Sequence, residues 1–195
     1  MPIRVFSEEE KEEIVTRMFE AGMQLIREYG LTHASVTKIT DAAGIGKSTF
    51  YNFFESKEIF VIRLMQYERK KAMKQIAEAL RGREKLTKDE GKSLFRKIIY
   101  DQDSIYQYLT EEDVKTLYPV MKEAGFIEDD LNSDTPQYLL SIIEDVREDA
   151  DPRVFVNFLR ILALCQTESE SLHADVLQQN MDMIFDKMFE YVFKK

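Results

Sequence analysis

The stretch Val36–Lys57, VTKITDAAGIGKSTFYNFFESK, reads as two short helices joined by a tight turn. The first is predicted over Thr37–Ala43, with Val36, Ile39, Ala42 and Ala43 sharing one face at helical spacing. Gly44 stands where a helix ends in the left-handed conformation, which glycine adopts without steric cost. Ile45 follows as a single apolar plug. Gly46-Lys47-Ser48-Thr49 then opens a second helix carrying Phe50, Phe53 and Phe54 at i, i+3 and i+4. Helices this short do not hold in water by themselves, so they must pack on each other and on a third element. The arrangement left is a helix-turn-helix with one face of its second helix free.

That free face carries Lys47, Ser48, Thr49, Tyr51 and Asn52. A cation, two hydroxyls, a phenol and an amide are groups that reach phosphate oxygens and base edges. Small polar residues at a helix start are also ordinary capping chemistry, and this alternative stays open here. A phosphate-binding P-loop is excluded. Gly46-Lys47-Ser48 copies its end, but the loop needs a second glycine where this chain has Asp41, and a strand where helix precedes.

Upstream, Ser7-x-x-Glu10 is a capping box that starts a helix at Ser7 or Glu8. Ile14, Met18, Gly22, Leu25, Ile26 and Tyr29 form its stripe, and Gly30 closes it; this is the third element. Ser35, or alternatively Thr37, caps the next helix. Its first turn, with Lys38, offers free N–H groups and a positive dipole end to a phosphate. Downstream, Ser56 caps a longer helix through Leu80, with Phe60, Leu64, Tyr67 and Ile76 inward and Lys57 beside the DNA backbone.

Together Ala21, Leu25, Gly30, Val36, Ile39, Ala42-Ala43-Gly44-Ile45, Lys47, Thr49-Phe50-Tyr51, Phe54 and Ser56-Lys57-Glu58 resemble the TetR-type one-component transcriptional regulators. The likeness covers about the first sixty residues. It implies a homodimer that binds double-stranded operator DNA through this motif, with an all-helical second domain that binds a small-molecule effector. Such a regulator is usually a repressor released by its effector. Two positions depart from the family: Phe53 stands where Tyr or His is usual, and Gly46 where Ser is common. The alternative reading is a co-regulator that uses the motif for protein contacts and has no operator of its own.

Composition agrees with an all-α protein. The 195 residues hold only 7 Gly and 4 Pro, and 44% are hydrophobic, so turn formers are scarce and a substantial core is possible. No apolar run reaches the roughly 18 residues of a membrane span, and the N-terminus lacks a signal-peptide core. The single cysteine, Cys165, fits a reducing cytoplasm. With two histidines set apart, no metal-ligand cluster, catalytic constellation or cofactor motif emerges, and no enzyme is expected.

The formal charge of −9 is unusual for a DNA binder. Residues 1–58 hold 7 Lys/Arg against 10 Asp/Glu, a balance of −3. Much of that acid sits in the block Glu8–Glu13. Between His33 and Lys57 the balance is +1. Non-specific affinity should therefore be modest, with hydroxyls and backbone N–H groups making many of the phosphate contacts.

The expected division is a helix-turn-helix domain over 1–58, a connecting helix over 59–80, and a helical-bundle effector and dimerisation domain over 81–195. Arg81-Gly82-Arg83 marks the break. Thr87-x-x-Glu90 starts a helix to about Tyr100, and Ser104–Leu109 is a short helix or loop. Thr110 opens a helix that Pro119 should kink or end. Asp134-Thr135-Pro136 starts one predicted to run to about Glu148. Tyr100, Tyr106, Tyr108, Tyr118 and Tyr138, with Met121 and Phe126, are a search region for an effector pocket, since tyrosine pairs apolar area with one polar tip. Aromatics at helical spacing are also plain core. The last helices, Val154–Gln166 and Leu172–Phe193, are apolar enough to form a four-helix dimer interface, or to belong wholly to the monomer core.

Overall fold

The computed structural model describes residues 6–100, 105–126, 135–167 and 171–193. Its α-helices are α1 (Glu8–His33), α2 (Val36–Ala43), α3 (Lys47–Phe53), α4 (Lys57–Leu80), α5 (Lys88–Ile99), α6 (Glu111–Glu123), α7 (Thr135–Ser141), α8 (Pro152–Thr167) and α9 (Ala174–Val192). A 3-10 turn spans Ile105–Tyr108. Among the described residues there is no strand, only isolated bridges from Leu86 to Ile143 and from Val146 to Phe193. The protein is all-α. The chain divides into two compact units, residues 1–67 with 108–124 and residues 68–107 with 125–195.

In the first unit α1 begins as its sequence dictates. Ser7 Oγ accepts from Glu10 N at 3.2 Å, and Glu10 Oε2 accepts from Ser7 N at 2.9 Å. Of its stripe, Ile14, Met18, Gly22 and Ile26 are buried, Leu25 is half-buried and Tyr29 is exposed. Gly30 breaks the helical path at φ 75°, but helix resumes to His33. Gly22 has a steric reason to be there. A Cβ at this position would lie 2.5 Å from Cζ of Phe60, so α1 and α4 meet only because no side chain intervenes.

The short helices are held by an aromatic cluster. Phe54 lies 5.3 Å from Phe50, 5.1 Å from Phe60 and 5.8 Å from Phe19 between ring centroids. Phe50 and Phe60 are fully buried. Burying each such ring supplies about 1.5–3 kcal/mol, which is what two helices of seven or eight residues need from their surroundings. Gly44 caps α2 at φ 68°, ψ 37°, as its left-handed role requires. The inner face of α2 differs from the expectation: Ala42 is exposed, while Ile39, Thr40 and Ala43 are buried. Thr40 fits there because its Oγ1 donates to the Thr37 carbonyl at 2.9 Å, which leaves no hydroxyl unsatisfied.

Thr110 caps α6 with a second reciprocal box to Asp113, whose carboxylate accepts from Thr110 N at 2.9 Å. Pro119 does not end this helix, which continues to Glu123. The proline sits on the exposed face, so the carbonyl its missing N–H would have bonded can be hydrated.

The second unit is built on Phe95 of α5, Phe155 and Leu162 of α8, and Met181, Phe185, Met188, Phe189 and Val192 of α9. Rings of Phe95 and Phe155 meet edge-on at 5.7 Å, and those of Phe185 and Phe189 lie 4.9 Å apart. Helix α7 stops at Ser141 and does not reach Glu148. Leu86 and Ile142–Glu144 exchange backbone hydrogen bonds (Leu86 N to Ile142 O, 2.7 Å; Glu144 N to Leu86 O, 2.9 Å), and Asp145 takes φ 59°. That long-range pairing unwinds a stretch whose local sequence reads as helix. No described helix is long and apolar enough to cross a membrane.

Candidate nucleic-acid interface

Helix α3 presents a face because Phe50 anchors the opposite side. Lys47, Ser48, Tyr51 and Asn52 are exposed, and Thr49 is half-buried at the edge. Gly46 precedes the helix in extended conformation and gives no side-chain cap, so the first N–H groups of α3 have no side-chain partner there. Tyr51 is 54% exposed and its ring stands edge-on against Phe50 at 5.4 Å. The ring is thus fixed by core packing while much of it faces outward.

Helix α2 contributes its start. Ser35 Oγ accepts from Lys38 N at 3.3 Å, which makes Ser35, not Thr37, the cap. Thr37 is exposed. Lys38 is exposed with its ammonium 5.0 Å from the centroid of the Tyr29 ring. Neither α2 nor α3 carries an acidic residue in its first turn, whereas α1 carries Glu8, Glu9 and Glu10. The partial positive ends of α2 and α3 are therefore left for an anion, and that of α1 is screened.

Lys57 is placed differently from its expected position beside a DNA backbone. Its Nζ donates to the Leu31 carbonyl at 2.5 Å, just past the break at Gly30. Burial lowers its pKa, against the opposing pull of Glu58 and Asp113. The partner lies 26 positions away, so no local pattern announces the contact. A groove of about 470 Å³ runs beside α3 and shows what the sequence left out. Thr49 and Asn52 share it with Gly44–Gly46 and with Glu10, Glu13 and Arg17 of α1.

The seven pocket candidates divide between the two units. Tyr108, Tyr118 and Met121 belong to the first unit, and Tyr100, Tyr106, Phe126 and Tyr138 to the second. Tyr118 and Tyr138 are exposed, and the Tyr106 side chain lies outside the described residues. Tyr108, Met121 and Phe126 are half-buried. Tyr100 is half-buried against the second core, its ring 5.9 Å from Phe185, and burial raises its pKa. Among the described residues no three His, Cys, Asp or Glu gather as a metal site would require.

A three-helix unit with a bare second motif helix has the form of a helix-turn-helix. Residues 19–64 match the model of bacterial regulatory proteins of the tetR family. That segment is TetR-like and contains the whole helix-turn-helix, α2 and α3. No curated protein sequence matches it. Solved structures share the fold along nearly the whole length. A TetR-family regulator from Cytophaga hutchinsonii superposes with TM-score 0.61 at 17% identity, covering 98% of this chain and 100% of the other. A TetR-family regulator from Haemophilus influenzae gives 0.56 at 14%, covering 94% and 98%. The regulator FadR of Bacillus subtilis, in complex with stearoyl-CoA, gives 0.53 at 17%, covering 91% and 98%.

Proposed function

We propose that the protein is a cytoplasmic, homodimeric repressor that binds an operator through α3 and is released by a small-molecule effector. The observation that carries this reading is the exposed polar face of α3 within the matched segment. Lys47, Ser48, Thr49 and Asn52 are assigned to base edges, and Tyr51, Ser35, Thr37 and Lys38 to phosphates. Residues 1–58 would then read DNA, α4 would connect, and residues 81–195 would bind effector and partner subunit. The apolar residues Ile161, Leu164, Val176 and Met183, exposed on α8 and α9, support pairing of two copies there. Two heads would meet half-sites about one helical turn, roughly 34–36 Å, apart. An effector that changed this separation would weaken DNA binding by a coupling of about 1–3 kcal/mol. That one structural neighbour holds stearoyl-CoA supports a ligand site in the helical second domain, with long apolar ligands as first candidates.

Selection of bound sequences from a random duplex pool, followed by anisotropy titration, tests the reading. Lys47→Ala should cost about 1–3 kcal/mol and relax preference at one base position. Uniform weakening across sequences would reassign Lys47 to a phosphate. Absence of any salt-dependent duplex binding would favour a co-regulator that works through protein contacts.

A further inference from the structure

We propose that Arg17 of α1 is a DNA-positioning residue, holding a phosphate of the strand that flanks α3 on the α1 side. The inference rests on α3 being the DNA-reading helix, and it adds a contact outside the matched motif's free face.

Three observations lead to it. The first is place. Arg17 is exposed and lines the same groove as Thr49 and Asn52, together with Gly44–Gly46. A helix with its side chains is about 10–12 Å across and the major groove about 12 Å wide. A duplex seated on α3 therefore brings one phosphate strand past each flank. The groove beside α3 is lined on its α1 side by Glu10, Glu13 and Arg17, so the cation there is Arg17.

The second is the disposition of charge. Of the motif's lysines, Lys57 directs its ammonium to the Leu31 carbonyl, and Lys38 lies over Tyr29 on the α2 side. Lys47 is at the start of α3 itself. The α1 flank thus receives its positive charge from Arg17. A planar guanidinium with five donors matches phosphate oxygens in pairs, a geometry that lysine does not offer.

The third is the surroundings. Glu9, Glu12 and Glu13 share a second open groove with Arg17, and Glu13 stands one turn before it on both groove faces. These carboxylates repel a phosphate strand along the first turns of α1, so the strand's approach is limited to the end of the stripe that Arg17 occupies. The wall is attractive at one point and repulsive beside it, which fixes where a backbone can rest.

Arg17→Gln and Arg17→Lys, measured by anisotropy across a salt series on the selected operator and on a random duplex, test the proposal. In Arg17→Gln both duplexes should weaken by a similar factor of about three to ten, and the slope of log K against log salt should fall by about 1 per subunit. Base preference and the melting midpoint should stay as in the wild type, and Arg17→Lys should recover the salt slope. Wild-type affinity and slope in Arg17→Gln would overturn the proposal. So would weaker binding at an unchanged slope with a lowered melting midpoint, which marks a role in folding. If the wild-type protein itself bound neither duplex, the reading of α3 would fall, and Arg17 with it.

Discussion

Tyr51 and Lys57 lie six positions apart, and packing sends them in opposite directions. The edge-on contact with Phe50 fixes the Tyr51 ring while leaving it 54% exposed. Tyr51→Phe keeps that contact and removes only the hydroxyl. Operator affinity should fall by about 0.5–1.5 kcal/mol, the usual worth of one hydrogen bond, with an unchanged melting midpoint. Equal affinity in the two proteins would strike Tyr51 from the contacts. Lys57 instead ties the start of α4 to the carbonyl of Leu31. Lys57→Met keeps the aliphatic stem and loses this bond to a charged donor, so unfolding in urea should shift by about 1–3 kcal/mol. The salt slope of DNA binding should stay as it was. A slope reduced by about 1, with stability intact, would return Lys57 to the phosphate backbone. The sequence puts both residues within the segment of the short helices. It could not show which faced inward, because that depends on a carbonyl delivered by the distant end of α1.

At the scale of elements, the same division separates what was legible from what was not. The boxes at Ser7, Thr87 and Thr110 each start a helix where the sequence puts one, because donor and acceptor sit three residues apart and need no tertiary help. The end of α7 was illegible because it is set by backbone bonds to Leu86, and the inner face of α2 because Thr40 satisfies its own hydroxyl. The break after α4 shows how a local signal gains a tertiary role. Arg83 donates through both terminal nitrogens to Glu90, at 2.9 and 3.1 Å, and also to the Ala79 and Leu80 carbonyls at the end of α4. The guanidinium of Arg83, then the backbone N–H of Thr87, hold the Glu90 carboxyl at about 2, well under its ordinary 4.5. A carboxyl with a depressed folded value stabilises the fold above its unfolded value and loses that contribution as pH falls through the folded one. The window is therefore from 4.5 down to about 2. Melting midpoints of the wild type and Glu90→Gln, compared across this window, should converge toward its acid end. Curves that stayed parallel would show that the clamp adds nothing to stability.

For the whole molecule the question is how a chain of net charge −9 holds DNA at all. One head offers few cations, so the salt-dependent share of its binding is small, and two heads acting together gain by effective concentration what each lacks. Under the proposed reading, pairing of two copies would offset the scarcity of cations on each head. The surface proposed for it is specific. Leu164 on α8 is 59% exposed and Met183 on α9 is 62% exposed, while Phe155, Leu162, Phe185 and Met188 on the same helices fill the core of their own unit. Among the described residues nothing covers these apolar side chains on the two helices. An aspartate at either exposed position adds a charge that water solvates in the monomer and a dimer would have to bury unpaired. In sedimentation equilibrium at micromolar concentration, Leu164→Asp and Met183→Asp should shift the protein from dimer toward monomer, with a melting curve that retains its cooperativity. Operator binding should fall by the same two substitutions, although neither lies in residues 1–58, while binding to an isolated half-site should hardly change. A wild-type protein that sedimented as a monomer, or variants that remained dimeric, would move the interface off α8 and α9.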